Sequence, residues 1–195
     1  MIRADHELIA QGIRLESRVL DLGCGDGQLL AHLQRTRRAT GYGIEIVPER
    51  VVAALRQGIQ VLQVNLESGL SGFAAGSFDT VILSQTLQAM RNTEEILREM
   101  LRVGREGIVT FPNFGYWKHR WQVLNGMMPK SPDMPYEWYD TPNVHLCTLQ
   151  DFEALCARMG VQVIERRVMN PAGRVVHTLP NLLGSLAYYR IRSAV

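Results

Sequence analysis

The chain of 195 residues is long enough to bury a full core and is expected to form one domain, residues 1–195. Its 21 basic and 19 acidic residues give a formal net charge of +2, which offers no electrostatic case for a nucleic acid or an anionic membrane as partner. With no apolar run near the ~18 residues of a membrane span, no recognisable signal peptide and three widely spaced cysteines, the sequence predicts a cytoplasmic protein without a metal site or disulfide framework.

Up to residue 111 the chain alternates short apolar strands with helices of about ten residues. In order, the pattern predicts a helix over 4–12, a strand over 18–22, a helix over 28–35, a strand over 41–46, a helix over 48–57, strands over 60–64 and 78–84, a helix over 93–103 and a strand over 107–111. Pro48 suits the first turn of its helix, and Thr93 is the expected cap of the fourth. This alternation predicts a doubly wound α/β sheet.

After the fifth strand the alternation is interrupted by residues 113–145, a segment rich in aromatic residues and proline. The three tryptophans, Trp117, Trp121 and Trp138, all lie in it. Because linkers are poor in aromatic residues, the segment is expected to be an insertion or cap with a packed surface of its own. Trp117 and Trp121 are four residues apart and would share one face if this part is helical.

The pattern then resumes with one helix and two strands. Thr148 and Asp151 have the spacing of a capping box at the start of a helix over 148–159, which Gly160 ends. Strands over 161–168 and 186–191 follow without a helix between them, so they can pair antiparallel. The chain is therefore predicted to form a single Rossmann-like sheet of seven strands with the insertion after the fifth.

The turn after the first strand has a glycine at every second position. Residues 19–27 read VLDLGCGDG, in which Asp21 precedes the glycines Gly23, Gly25 and Gly27. A dinucleotide fingerprint is Gly-x-Gly-x-x-Gly, and its third glycine would fall at Gln28. The loop resembles motif I of the class I S-adenosylmethionine (SAM)-dependent methyltransferases, whose seven-stranded sheet the predicted elements match. The alternative is that the loop is only a strand–turn–helix corner, in which the glycines serve just to allow positive φ.

Polar side chains follow the first four strands, and ligands of open α/β sheets bind at such strand ends. Glu45 can accept hydrogen bonds from both ribose hydroxyls, and Asn65 stands where the methyltransferases usually have an acidic residue that reads the adenine amino group. Ser84 and Gln85 would flank the methionine end of SAM or of its demethylated product, S-adenosylhomocysteine (SAH). The candidate cofactor-binding residues are Asp21, Gly23, Gly25, Gly27, Glu45, Ile46, Asn65, Leu66, Ser84 and Gln85.

No catalytic residue is assigned. Methyl transfer from a sulfonium mostly requires positioning, and it needs a base only where the acceptor carries a proton. Residues 84–90 lack an Asn-Pro-Pro-Tyr-type amine-binding signature, and Gln88 stands where many small-molecule methyltransferases carry histidine. His119 and His145 are candidate bases in the insertion, although a lone histidine is more often structural.

Five runs extend the resemblance over almost the whole chain, from Arg3 to the last strand. They are VLDLGCGDG (19–27), VILSQTLQ (81–88), FPNFG (111–115), YDTPNVHLC (139–147) and LPNLLG (179–184), and they are similar to the MetW family of methionine-biosynthesis proteins. The resemblance implies a role beside a homoserine O-acyltransferase of the MetX type, which the chain would bind and support. The aromatic residues of the insertion make a surface around Trp117, Trp121 and Trp138 the candidate docking site.

Two other roles for the chain and its insertion remain open. The chain can be a SAM-dependent methyltransferase for a small-molecule acceptor, with the insertion as a lid. The aromatic residues can also form only a small core against the sheet. Motif spacing alone favours the methyltransferase, whereas the family resemblance favours the partner protein.

Overall fold

The structure is a computed structural model that describes residues 3–194; residues 1, 2 and 195, at the ends of the predicted domain, lie outside the described residues. The strands of the described part are β1 Arg18–Leu22, β2 Thr40–Glu45, β3 Val61–Gln63, β4 Phe78–Ser84, β5 Gly104–Pro112, β6 Val161–Met169 and β7 Leu186–Ser193. Its helices are α1 Ala4–Gly12, α2 Gln28–Arg37, α3 Pro48–Arg56, α4 Thr93–Val103, α5 Trp117–Leu124, α6 Leu149–Arg158 and α7 Pro180–Leu183.

The strands of residues 3–194 form one seven-stranded sheet in the order β3-β2-β1-β4-β5-β7-β6. The first five are parallel, while β7 lies antiparallel to both β5 and β6. The predicted α/β fold and the antiparallel pairing of the last two strands are confirmed. From β1 the chain adds β2 and then β3 outward on one side. It then returns to β4, on the other side of β1, and continues outward from there. The strand order therefore reverses between β1 and β4, and open α/β sheets bind ligands at such a reversal.

Apolar clusters cover both faces of the sheet. Leu20 and Leu22 belong to one cluster, with side chains of α4 and α6, whereas Val19 belongs to the other, with side chains of α1 and α2. This division follows from the period of two in a strand, which sends successive side chains to opposite faces. Burial on both faces keeps the strands in place, so their carboxyl ends form a rigid edge.

Local signals placed most helix ends correctly. Pro48 is in the first turn of α3, and Thr148 and Asp151 form the predicted capping box of α6. The expected cap at Thr93 is wrong, because Asn92 holds the N-cap position and Thr93 is already helical. The prediction that no helix lies between the last two strands is also wrong, because the short helix α7, which begins at Pro180, lies between β6 and β7.

Residues 113–145 leave the sheet after β5 and return to it. Helix α5 lies in the first part of this segment. The two ends of the segment are close together, because Phe114 N donates a hydrogen bond to Cys147 O at 3.0 Å. Asn113 is fully buried and donates through Nδ2 to Gly184 O at 2.8 Å. These hydrogen bonds fix the base of the segment against the sheet.

Candidate functional site

A cavity of about 910 Å³ lies at the carboxyl ends of β1–β4. Nine predicted site residues line it: Asp21, Gly23, Gly25, Glu45, Ile46, Asn65, Leu66, Ser84 and Gln85. Gly27 is placed elsewhere. A Cβ atom on Gly27 would come within 3.0 Å of side-chain atoms of Ala54 and Ile59, so this glycine allows α2 to begin close to α3.

The glycine loop is held by β2 and by the turn after β4. Gly23 N and Cys24 N donate to Ile44 O at 2.8 and 2.9 Å. A Cβ atom on Gly23 would lie 2.6 Å from Thr86 Oγ1, so a side chain is excluded there. At Gly25, by contrast, a Cβ atom would meet nothing within 4 Å among residues 3–194. Gly25 lines the cavity, and its lack of a side chain leaves the backbone open to a ligand.

Asp21 is a buried carboxyl group at the end of β1. Its side chain is 2% exposed, and within residues 3–194 its Oδ1 has no hydrogen-bond partner. Burial raises the pKa of Asp21 to about 7, although the positive charge of Arg3 opposes the increase. A buried acceptor without a partner costs about 1–3 kcal/mol, which a ligand that donates a hydrogen bond would recover.

Glu45 holds the glycine loop as well as lining the cavity. Its Oε2 accepts from Gly25 N at 3.0 Å, and its Oε1 accepts from Ile46 N and Val47 N at 2.8 and 2.9 Å. A carboxylate has about four acceptor positions, so three are already filled. While these bonds persist, Glu45 has room for one of the two ribose hydroxyls that it is predicted to bind.

The polar residues after β3 and β4 also have hydrogen-bond partners within the protein. Asn65 Oδ1 accepts from Glu67 N at 3.0 Å and so caps the short 3-10 turn Leu66–Ser68. Gln85 has a positive φ of 50°, and its Nε2 donates to Asp5 Oδ2 at 3.0 Å. The amide oxygen of Asn65 retains a second lone pair for a ligand.

The N-terminal end of α1 supplies residues that the motifs did not indicate. Arg3 and His6 line the cavity, and Asp5, itself buried, links Arg3 to Gln85. Burial is the largest single influence on the pKa of Asp5 and would raise it, but the hydrogen bond and positive charge of Arg3, with smaller contributions from His6 and Gln85, together outweigh burial and hold the pKa below its usual range. Burial lowers the pKa of His6, so a neutral imidazole faces the site. In the sequence, the family likeness that begins at Arg3 was the one signal that could have pointed to these residues.

Neither candidate base is part of the cavity lining. His119 is fully buried, with Nδ1 3.2 Å from Asn113 O, and burial lowers its pKa. His145 lies with Nε2 3.3 Å from Arg91 O and lines a second cavity, of about 760 Å³, between α4 and α6. The 113–145 segment reaches the first cavity through other residues, which include Asp133 and Tyr136.

The first cavity is lined by several buried polar atoms that lack a hydrogen-bond partner, and its lining carries an excess of negative charge. In the described part of the chain, four such atoms belong to its lining: His6 Nδ1, Asp21 Oδ1, Gln88 Oε1 and Asp133 Oδ2. The acidic lining residues are Asp21, Asp26, Glu45, Glu67 and Asp133, and the basic lining residues are Arg3 and Arg50. An excess of carboxylates in a cavity favours a cationic ligand. Residues 3–194 contain no group of three His, Cys, Asp or Glu side chains placed to hold a metal ion.

The runs that carry the family likeness contact one another in pairs. Asn113, in the run 111–115, bonds to Gly184 and Asn181 of the run 179–184. Gln88 O, in the run 81–88, accepts from Val144 N and His145 N of the run 139–147, at 2.8 and 3.0 Å. The likeness therefore follows the contacts that join the 113–145 segment to the sheet and to the cavity.

Comparisons with solved structures define the class of the fold. The structure superposes on a SAM-dependent methyltransferase from Thermotoga maritima with a TM-score of 0.69, at 16% identity, over 96% of this chain and 86% of that one. It superposes on the [4+2]-cyclase SpnF with a TM-score of 0.68, at 17% identity, over 97% and 80% of the two chains. The fold is thus that of the class I SAM-dependent methyltransferases, and identities this low show the fold alone.

Sequence comparison shows the family. The model of "Methionine biosynthesis protein MetW" matches residues 3–191, and the chain belongs to the MetW family. It is 40% identical, over 84% of its length, to the bifunctional methionine biosynthesis protein MetXA/MetW of Rhodopirellula baltica, of which it covers 28%. It is 25% identical, over 81% of its length, to ajmaline N-methyltransferase of Rauvolfia serpentina, of which it covers 58%. Within residues 3–194 no helix is both long and apolar enough to cross a membrane.

Proposed function

We propose that the chain binds SAM or SAH in the cavity at the carboxyl ends of β1–β4. The observation that carries the proposal is Asp21, whose buried Oδ1 has no partner within residues 3–194 beside an open glycine loop. Both ligands carry an ammonium group, and a charge-assisted hydrogen bond from it would satisfy that oxygen. The open backbone at Gly25 and the excess of carboxylates around the cavity support the same assignment.

Calorimetry with SAH tests this binding. We expect one SAH per chain, and we expect Glu45→Ala to weaken binding by roughly 1–3 kcal/mol through the loss of its charge-assisted hydrogen bond to the ligand. Glu49→Ala, an exposed carboxylate in the first turn of α3, is the matched control and should bind like the wild type. Absence of binding, or equal affinity in all three proteins, would overturn the assignment.

We further propose that the chain associates with a homoserine O-acyltransferase of the MetX type and supports its activity. The supporting observation is the Rhodopirellula baltica relative, whose name joins MetXA and MetW in one bifunctional protein. The 113–145 segment offers a candidate surface, since Trp117, Trp121 and Trp138 are 45%, 63% and 71% exposed. Exposed aromatic residues of this kind are typical of the energetic centres of interfaces.

Reconstitution tests the association. The chain and a separately produced acyltransferase should co-elute in gel filtration, and acylation of homoserine should be faster in the mixture than with the acyltransferase alone. Separate elution together with unchanged acylation would contradict the proposal.

Methyl transfer to a small-molecule acceptor is the second candidate function. The N-methyltransferase among the relatives favours it, as do Asp133 and Tyr136, which line the cavity from the 113–145 segment, where a lid over an acceptor would lie. SAM would supply an electrophilic methyl group, and the residues of this chain would position the acceptor and exclude water. Incubation with methyl-labelled SAM and cell extract, with and without the acyltransferase, tests it: a labelled product favours methyl transfer, and intact SAM argues against it.

A further inference from the structure

Asp133 reaches the cavity from the tip of a tight turn in the 113–145 segment. Ser131 and Met134 are joined by two backbone hydrogen bonds, from Ser131 N to Met134 O and from Met134 N to Ser131 O, both of 3.0 Å. Pro132 and Asp133 are the two residues between them, and both line the cavity. Met134 is buried, and the ring of Pro132 fixes its own φ. The backbone that carries the Asp133 carboxylate is therefore restricted before any ligand binds.

The carboxylate of Asp133 has an oxygen without a partner. Its Oδ2 is buried and, within residues 3–194, forms no hydrogen bond. Arg3 also lines the cavity, but it forms its ion pair with Asp5. A buried acceptor without a partner costs free energy, so Asp133 Oδ2 favours a ligand that donates a hydrogen bond.

Gln88 provides a second such oxygen, from the turn after β4. Its Nε2 donates to Gln85 O at 2.9 Å, and this hydrogen bond orients the amide group. Its Oε1 is buried and has no partner in the part of the chain that the structure describes. Gln88 and Asp133 line the same cavity, and each presents an oxygen that can only accept. Together they select a ligand with several N–H donors.

The charge of the lining favours a cationic donor over a neutral one. Five acidic lining residues outnumber two basic ones. SAH is a zwitterion without net charge, so its binding leaves this excess in place. Neither Gln88 nor Asp133 is among the residues that the glycine loop and the strand ends assign to SAM or SAH. Their oxygens are therefore available to another ligand.

We propose that the cavity holds a second ligand beside SAM or SAH, a small protonated amine whose ammonium group donates to Asp133 Oδ2 and Gln88 Oε1. The inference rests on the proposed function, because it leaves the part of the cavity at the glycine loop to SAM or SAH. An ammonium group has three N–H donors, and its hydrogen bond to a carboxylate is stronger than a neutral one. Pro135 and Tyr136, which also line the cavity, offer apolar surface to the carbon part of the amine. The assignment concerns binding and requires no methyl transfer.

An amine and a neutral compound of the same shape test the site. Titrations followed by NMR measure the affinities of benzylamine and benzyl alcohol for protein saturated with SAH. We expect the wild type to bind benzylamine about tenfold to a hundredfold more tightly than benzyl alcohol.

Two variants remove the proposed acceptors one at a time. Asp133→Asn and Gln88→Met should each weaken benzylamine binding at least about fivefold, while benzyl alcohol binding to Asp133→Asn changes less than about twofold. Asp140→Asn is the matched control, since Asp140 is an exposed carboxylate of the same segment outside the cavity lining. It should bind both compounds like the wild type.

Thermal unfolding separates lost binding from lost structure. Because Asp133 Oδ2 has no partner among the described residues, Asp133→Asn should not lower the Tm, and a lowered Tm would assign the carboxylate a structural role instead. Equal affinity of the wild type for the two compounds, or benzylamine affinity unchanged in Asp133→Asn or Gln88→Met, would overturn the inference and leave the SAH site intact. Displacement of SAH by benzylamine would place the amine in the SAH site and would also overturn it. A wild type that binds benzylamine with the expected preference but does not bind SAH would overturn the proposed function and leave the amine site standing.

Discussion

At the residue scale, the three glycines of the loop have different tasks. Gly23 lies against Thr86, Gly27 lies against Ala54 and Ile59, and Gly25 alone of the three would carry a Cβ atom into open space. All three have positive φ. The alternating pattern therefore combines two packing requirements with one position that a ligand can approach.

Gly25→Val is expected to abolish SAH binding because its side chain would occupy ligand space. Gly58→Val is the matched control. The φ of Gly58 is 78°, similar to the 58° of Gly25, and a Cβ atom on Gly58 would also meet nothing within 4 Å among the described residues. Gly58, however, lies at the end of α3. Both variants should lose about 1–2 kcal/mol of folding stability through the left-handed backbone. Thermal unfolding and SAH calorimetry check this; SAH binding by the Gly25 variant would contradict it.

The raised pKa of Asp21 predicts that ligand binding is coupled to the release of a proton. With a pKa of about 7, the buried carboxyl is largely protonated at pH 6, and it must ionise to pair with the ligand ammonium. SAH affinity should therefore rise as the pH increases from 5 to 7, and binding at pH 6 should release a proton. Calorimetry in buffers of different ionisation enthalpy measures the release, and Asp21→Asn should abolish it. Proton uptake, or release that persists in Asp21→Asn, would argue against this assignment.

The sequence was informative about single residues where local rules apply. A carboxylate at a strand end, such as Glu45, could be placed at the cavity because parallel strands end along one edge. Its three backbone hydrogen bonds could not be predicted, since they depend on how closely the glycine loop approaches β2. Arg3 and Asp5 were missed because the contacts that bring them to the cavity, such as the bond from Gln85 to Asp5, join residues about eighty positions apart in the chain.

At the scale of elements, the helix α5 has two distinct faces. His119 is fully buried and packs near Tyr116, with ring centroids 5.5 Å apart. Trp117 and Trp121, four residues apart, are both exposed on the helix surface. Periodicity predicted the sheet and its helices, but it did not settle the path of residues 126–145, where proline and coil replace any repeating pattern.

Replacing Trp117 and Trp121 together by alanine should remove association with the acyltransferase and leave SAH affinity unchanged. Because both side chains are exposed, the folding cost should stay below about 1 kcal/mol. The control replaces Val52 and Leu55, an exposed apolar pair on α3, by alanine and should still co-elute. Unfolding of the tryptophan variant would support the small-core alternative, and co-elution of the folded variant would place the docking surface elsewhere.

At the scale of the whole molecule, the cavity and the 113–145 segment share structure. Gln88, in the cavity lining, bonds through its backbone oxygen to Val144 and His145, and Asp133 lines the cavity from the segment itself. A ligand in the cavity can thus change the stability of the segment that carries the candidate docking surface. Coupling of this kind is reciprocal between the two sites.

SAM is expected to shift the affinity for the acyltransferase, and we expect it to favour the state that supports acylation less well. A coupling of about 1–3 kcal/mol corresponds to a shift of about 5- to 150-fold. The measurement is acyltransferase activity in the reconstituted pair during a titration with SAM. A flat titration, with SAM bound, would exclude a sensing role.

Hydrogen exchange with and without SAH tests the central claim, the location of the ligand site, most directly. Saturating SAH should slow exchange at backbone amides of the glycine loop, of residues 45–47 and of the turns after β3 and β4, which line the first cavity. The amides around the second cavity, at residues 94–98 and 151–158, should be unchanged. Protection confined to the groove between α4 and α6, with the glycine loop unaffected, would contradict the account.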